Sequence, residues 1–259
     1  MGNDNNKYKK AILRTPGRSI INGITSATLG MPDYNEAQRQ HRAYIDALEK
    51  CGLEVVVLEP LEEYPDSVFI EDTALLTPDC AIITNPGALT RRGEARSMRS
   101  VLSAFYKNIE IVQDPATVDA GDIMKVNDHY YIGISERTNQ SGALQMIDFL
   151  EKYGKTGSSI RIQKILHLKS AVAYLENNKL LATTALINEP QFQKFDIIHV
   201  NNEESYAANC VWINDYVLVP RGFPNTRKKI KNLGYRIVEL DVSEYHKLDG
   251  GLSCLSLRF

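Results

Sequence analysis

Cys254, His167 and the acidic side chains Glu71, Asp72, Asp119 and Asp122 are the residues of this 259-residue chain whose types could together carry a reaction. A thiolate attacks an electron-poor carbon, an imidazole moves the proton, and a carboxylate fixes the imidazole tautomer. The further carboxylates suggest a cationic substrate. Each residue alone has a plainer reading. A cysteine near a C-terminus is commonly a packed apolar side chain, and His167, between Leu166 and Leu168 in a strand-like run, fits a structural histidine. Asp122 beside Gly121 fits a turn cap, and Cys210 fits the core. His41, His129, His199 and His246 fall in a helix, a turn, a strand and a polar loop, and are read as structural or surface residues. What sets the first group apart is position, because each opens one of a series of repeating units.

Those units are legible as paired apolar runs around polar turns. Thr73–Leu76 and Ala81–Thr84 flank Pro78-Asp79, and Ile123–Val126 and Tyr130–Ile134 flank Asn127-Asp128. Ala171–Leu175 and Leu180–Ala182 flank Asn177-Asn178, and Val211–Ile213 and Val217–Val219 flank Asn214-Asp215. Asn and Asp at such turns signal hairpins. A helical segment and a further strand should follow: Arg92–Phe105 then Ile109–Val112, Ser141–Tyr153 then Ile160–Ile165, and Thr226–Leu233 then Arg236–Leu240, with Gly234 placed to stop the helix. The third repeat is shorter. At the ends, Leu252–Leu257 supplies one strand of a fifth unit, and Lys10–Leu13, the Tyr34–Lys50 helix and Glu54–Leu58 supply the rest. Five strand-strand-helix-strand units joined through the termini would form a closed α/β propeller with protected sheet edges. Loops on one face of such a ring converge on its centre, which would bring Glu71-Asp72, Asp119–Asp122, His167, Asn209-Cys210 and Cys254 together.

Composition agrees with a globular chain: 43% hydrophobic and 24% charged residues, with a formal net charge of -2. That balance gives no basic field for nucleic acid. The polar N-terminus and the absence of a long apolar run point to a cytoplasmic protein without a membrane span, and Asn6 stands where a myristoylation signal following Gly2 wants Ser or Thr. Four scattered cysteines without CxxC spacing read as thiols rather than a zinc site or disulfide scaffold. The expected organisation is a single domain over residues 1–259, with 1–9 a flexible extension. The expected partner is a small molecule, with a homodimer left open.

Five motifs, PDSVFIED (Pro65–Asp72), TVDAGD (Thr117–Asp122), RTNQ (Arg137–Gln140), LHLKS (Leu166–Ser170) and DGGLSC (Asp249–Cys254), give the chain its family resemblance. It resembles the dimethylarginine dimethylaminohydrolases of the pentein superfamily, nearly end to end. The resemblance implies a five-bladed α/β propeller that hydrolyses methylated arginine to citrulline without metal or cofactor. It implies Cys254 as nucleophile, His167 as general acid and base, and Asp119 as the residue orienting it. Glu71 and Asp72 would hold the guanidinium, with Asp66 a further substrate contact. Arg91 and Arg137 would bind the α-carboxylate, although Arg91 beside Arg92 and Glu94 also reads as a surface charge. Ile24 and Leu248 would meet substrate largely through main chain. Asn85, Thr73 and Asp119 depart from the commoner Arg, Pro or Val, and Glu of the family. These departures leave room for a shifted substrate preference, because a carboxylate moved by one methylene moves by more than catalysis tolerates. Two other readings stand beside this one: another guanidine-modifying pentein such as an arginine deiminase or amidinotransferase, and a non-catalytic pentein that only binds.

Overall fold

The computed structural model describes residues 7–259. Among them the chain forms five three-stranded sheets. The first joins β15 (Leu257–Arg258), β1 (Lys10–Arg14) and β2 (Glu54–Leu58); the second joins β3 (Ala74–Leu76), β4 (Ala81–Ile83) and β5 (Ile109–Ile111). The third contains β6 (Ile123–Val126), β7 (His129–Ile134) and β8 (Thr156–Arg161), and the fourth β9 (Val172–Tyr174), β10 (Lys179–Thr183) and β11 (Asp196–Val200). The fifth contains β12 (Val211–Ile213), β13 (Tyr216–Pro220) and β14 (Arg236–Leu240). In every sheet the middle strand is antiparallel to the inner one and parallel to the outer one, as in β6–β7–β8, where Ile123 faces Ile132 and Ile132 faces Ser159.

The expected hairpin turns form for a stereochemical reason. Asn127, Asn177, Asn178 and Asn214 all have positive φ, between 50° and 62°, a region Asn tolerates better than most residues. The outer strand is then reached through a helix: α1 (Tyr34–Lys50), α2 (Arg92–Leu102), α3 (Gln140–Lys152) or α4 (Pro224–Asn232). The Asp33 carboxylate caps α1 by accepting from Glu36 N–H, Asn139 caps α3 through Gly142 N–H, and Pro224 opens α4, where its missing N–H costs nothing. A short helix, α5 (Ser243–His246), precedes the C-terminal turn.

Three elements differ from the sequence expectation. The outer strand of the third sheet runs over Thr156–Arg161, not Ile160–Ile165, because the strand that pairs with β7 is polar and half exposed, while the apolar run beyond it lines a cleft. The strand β11, which hydropathy did not separate, is reached without an α-helix through a run of turns that includes Pro190–Phe192. At the C-terminus Ser253–Leu255 is a 3₁₀ turn, leaving only Leu257–Arg258 as strand.

The core lies in five apolar clusters, one between each pair of neighbouring units; Met124, Ile160, Val172 and Leu180, for example, join the third sheet to the fourth. No unit buries its faces without its neighbours, so the ring is stabilised as a whole. Closure uses both ends: Ala11 pairs with Arg258, and Lys9 and Lys10 N–H donate to the Phe259 carbonyl. Within the expected flexible extension 1–9, residues 1–6, including Gly2 and Asn6, lie outside the described residues. Tyr8 is fastened, exchanging two hydrogen bonds with the Asn214 side chain. Among the described residues no helix is long and apolar enough to cross a membrane.

Candidate active site

Each inner strand meets the ring axis next to a 3₁₀ turn, and these turns pack against one another in sequence around the centre. Ser253–Leu255 touches Ile70–Thr73, which touches Ala120–Asp122, which touches Leu168–Ser170, which touches Asn202–Ala208. Five of the candidate residues sit on or directly before this chain of turns. Glu71, Asp72 and Cys254 lie within their turns, while Asp119 and His167 occupy the extended position just before theirs. The closed ring thus makes neighbours of Glu71 and Arg258, which are 187 positions apart.

The histidine is held tightly. His167 Nε2 donates to Asp119 Oδ2 at 3.0 Å, and the other Asp119 oxygen accepts from Gly87 N–H at 2.9 Å. Asp119 is fully buried, which fixes both its rotamer and the imidazole it orients. Burial by itself would lower the imidazole pKa. Asp72, the Asp119 hydrogen bond and Asp122 overcome that and raise it to about 9, so the resting ring is an imidazolium. Gly121 is required where it stands: a Cβ there would lie 2.7 Å from Asp72 Oδ1 and 2.9 Å from His167 Nδ1.

Asp122 does more than cap a turn. Its Oδ1 accepts from Leu168 N–H at 2.9 Å, holding the backbone next to His167. Its Oδ2 accepts from Ser135 and Thr138 hydroxyls, both at 2.7 Å, and Thr138 Oγ1 in turn accepts from Asp119 N–H. One carboxylate therefore ties down both members of the Asp119–His167 pair.

Cys254 is 8% exposed. Burial, then the charges of Glu71 and Asp72, push its thiol up to about 12, so the resting sulfur is protonated. Its loop is held by Asn209, whose Oδ1 accepts from Ser253 N–H and whose Nδ2 donates to Ser253 Oγ and the Lys169 carbonyl. Gly251 lets Asn209 approach, since a Cβ there would meet Oδ1 at 2.5 Å.

The acidic pair is asymmetric. Glu71 Oε1 accepts ion pairs from Lys169 (2.7 Å) and Arg258 (2.8 Å), whereas Oε2 is buried without a hydrogen-bond partner among the described residues. A buried bare carboxylate oxygen is costly and is satisfied by an arriving donor. Asp72 Oδ1 accepts from Gly121 N–H and Oδ2 from Arg91 Nη1 at 2.6 Å. Burial would raise this carboxyl, but His167 and Arg91 hold it below the ordinary range.

Arg91 requires a correction. It is not a surface charge. It is buried, with Nε on Glu94, Nη1 on Asp72, and Nη2 on the Phe69 and Asp66 carbonyls. Its polar neighbours were close enough in the chain to suggest a solvated face, and only packing showed that the face turns inward. Arg137 instead lines a cleft of about 690 Å³ with Ile24, Leu166 and Asp249. Ile24, Asp66 and Leu248 do meet: Ile24 N–H donates to Asp66 Oδ1 at 2.9 Å, and the Leu248 side chain abuts Gly23. On the ring axis a smaller cavity of about 130 Å³ is bordered by Glu71, Lys169, Ser253 and Arg258. Neither cavity is lined by Cys254, His167 or Asp119. The chain passes from the cleft at Leu166 to the axial cavity at Lys169 with His167 between.

Sequence reasoning missed Lys169, Arg258 and Glu94 as parts of this site, and placed Asn209 at the ring centre without giving it a role. Lys169 stood inside a recognised motif and could have been found there; Arg258 and Glu94 carried no local signal. Oxygen and nitrogen ligands of Asp72, Asp119 and His167 lie within 4.8 Å of one another, a spacing a divalent ion could bridge. Arg91 on Asp72 and the His167–Asp119 bond already satisfy those atoms. The arrangement as it stands can bind a planar cation against Glu71 and Asp72 and deliver a sulfur nucleophile and an acid to it.

Comparison with known proteins gives concordant results. Residues 32–255 match the family model described as N,N dimethylarginine dimethylhydrolase, eukaryotic. The chain is 54% identical over 253 residues to N(G),N(G)-dimethylarginine dimethylaminohydrolase of Pseudomonas aeruginosa, covering 97% of this chain and 100% of that protein. It is 32% identical to the Streptomyces coelicolor protein of the same name, covering 96% of each. Among solved structures, a Pseudomonas aeruginosa enzyme with its cysteine replaced by serine and citrulline bound superposes with a TM-score of 0.97 at 54% identity, over 98% of this chain and 100% of that one. The N-terminal domain of the arginine dihydrolase ArgZ, 18% identical, shares the fold with a TM-score of 0.88, over 98% of this chain and 97% of that one.

Proposed function

The chain belongs to the dimethylarginine dimethylaminohydrolase family, and from that premise we propose that it hydrolyses Nω-methylated L-arginine to L-citrulline, releasing dimethylamine or methylamine. The observation that carries the reading to this chain is the site itself: a buried cysteine, an Asp-held imidazolium and an unsatisfied carboxylate oxygen on one ring of turns. Arriving guanidinium satisfies Glu71 Oε2 and lies against Asp72. Its charge offsets the two carboxylates that keep the Cys254 proton in place, and the thiol ionises as substrate binds, its proton passing to solvent because His167 is already protonated. The thiolate adds to the guanidinium carbon, and His167 gives its proton to the departing amine. An amidino-thioether on Cys254 remains. Neutral His167 then takes a proton from water, the resulting hydroxide adds to the same carbon, and the C–S bond breaks; the departing sulfur takes up the proton left on the citrulline oxygen, which releases citrulline and restores the Cys254 thiol beside the imidazolium. Arg137, facing the cleft with the Ile24 and Leu248 segments, takes the substrate's α-carboxylate, and Asp66 its ammonium side. A cytoplasmic location belongs to this reading and is supported by four cysteines that are all unpaired.

The test is incubation of the protein and its Cys254→Ser variant with asymmetric dimethylarginine or arginine, following citrulline together with dimethylamine or ammonia. Citrulline and dimethylamine from the wild type alone support the reading. Ammonia from arginine as the dominant product makes the protein a deiminase, and turnover of neither removes the hydrolase reading.

A further inference from the structure

Glu94, the third residue of α2, is 1% exposed although a carboxylate in the first turn of a helix normally faces water. It is packed inward with Ala95 and Met98, and taking a carboxylate out of water costs several kcal/mol unless it is paired. Its pairing is narrow. Oε1 accepts from Arg91 Nε at 2.5 Å, while Oε2 has no hydrogen-bond partner among the described residues. The nearby Arg14 guanidinium does not bond it, giving Nη1 to the Glu59 carbonyl and Nη2 to the Met98 sulfur. Burial pushes the Glu94 carboxyl up to about 7 and Arg91 opposes that shift, so the charged form depends on this one partner, and that partner contacts the reacting site.

The guanidinium of Arg91 is a rigid planar fork. With Nε fixed by Glu94 and Nη2 fixed by the Phe69 carbonyl at 2.9 Å, the plane cannot turn, and Nη1 is aimed at Asp72 Oδ2. Asp72 is held from its other side by Gly121 N–H. We propose that Glu94 is a positioning residue that, acting through Arg91, fixes the Asp72 carboxylate in the place where it receives the substrate's guanidinium. The inference rests on the function proposed above, in that it takes the cation at Asp72 to be a guanidinium. Without the Glu94 anchor, Arg91 keeps the carbonyl contacts on Nη2 and the Asp72 pair on Nη1 but has nothing on Nε, so its plane can tilt about Nη2 and carry Asp72 out of register. Displacements of about 1 Å at such a contact cost on the order of 100-fold in rate.

Two variants separate positioning from bulk stability. Glu94→Gln keeps the reach and the acceptor but removes the charge; Glu94→Asp keeps the charge but withdraws it by one methylene. Two readouts are compared with wild type: kcat and KM for asymmetric dimethylarginine, and the ratio of Cys254 alkylation rates by cationic chloroacetamidine and neutral chloroacetamide. The second readout needs no turnover. Both variants are expected to lose roughly 10-fold or more in kcat/KM, carried mainly by KM, and roughly 10-fold in the amidinium preference, with the chloroacetamide rate within about two-fold of wild type. A merely structural glutamate would lower the melting temperature and leave the ratio alone. Folded variants that retain the wild-type ratio overturn the inference, as does a wild type with no preference for the amidinium. A wild type that prefers the amidinium yet releases no citrulline would refute the proposed function while leaving the ratio to decide on Glu94.

Discussion

Ionisation of Cys254 should be coupled to the charge of whatever occupies the site, and the coupling can be sized. Burial and the Glu71 and Asp72 charges hold the free thiol at about 12, against an ordinary cysteine near 8.5, a difference of roughly 3 to 4 pH units and thus about 5 kcal/mol. A guanidinium about 4 Å from the sulfur, at an effective dielectric of about 20, contributes about 4 kcal/mol, or roughly 3 units. The sign is fixed: a cation favours the thiolate and lowers the midpoint. Saturating propylguanidinium should therefore move the Cys254 midpoint from about 12 to roughly 9. The assay is a pH titration of thiolate ultraviolet absorbance, with the Cys254→Ser protein subtracted to remove Cys51, Cys80 and Cys210, repeated with and without ligand. A free-enzyme midpoint near or below that of ordinary cysteine, or one that ligand leaves in place, would refute the account in which the substrate's own charge generates the nucleophile.

Three other outcomes follow from the same geometry. Asp122→Asn places a donor where three donors already converge, so it should lower the unfolding free energy by roughly 1–3 kcal/mol in urea and also slow turnover, because Asp122 ties down the Leu168 and Thr138 groups that hold His167 and Asp119. His167, raised to about 9 in the fold from an unfolded value near 6.5, contributes stability that is fully present below about pH 6.5 and lost as pH rises through about 9. The unfolding free energy of wild type minus that of His167→Asn should accordingly fall by about 3 kcal/mol between those limits, and a flat difference would contradict the imidazolium assignment. Arg137→Ala should raise KM for dimethylarginine by roughly 10- to 100-fold and abolish discrimination against the decarboxylated analogue, measured by competition; unchanged discrimination would remove Arg137 from the carboxylate role.

Asn-containing turns at Asn127, Asn177 and Asn214, together with alternating apolar runs, were enough to read the repeat, because positive φ at a tight hairpin and burial of inner strands are local demands that the sequence must meet in place. Cys254, His167, Asp119, Glu71 and Asp72 were likewise legible, since each sits at the corresponding point of its unit and inside an ordered motif. Strands with weak local demands were not legible: Thr156–Arg161 is polar and half exposed, and Asp196–Val200 follows a connection that has no helix to mark it. The environment of the site was decided by the tertiary structure alone. Closing the ring places Arg258 and Lys169 on Glu71, turns Arg91 and Glu94 inward beneath Asp72, and buries Cys254 beside two carboxylates. Which charges meet, and how far water is excluded from them, depends on distances between residues remote in the chain. Residue type sets what a side chain can do; the pKa values that determine which proton it carries arise only when the five units enclose it.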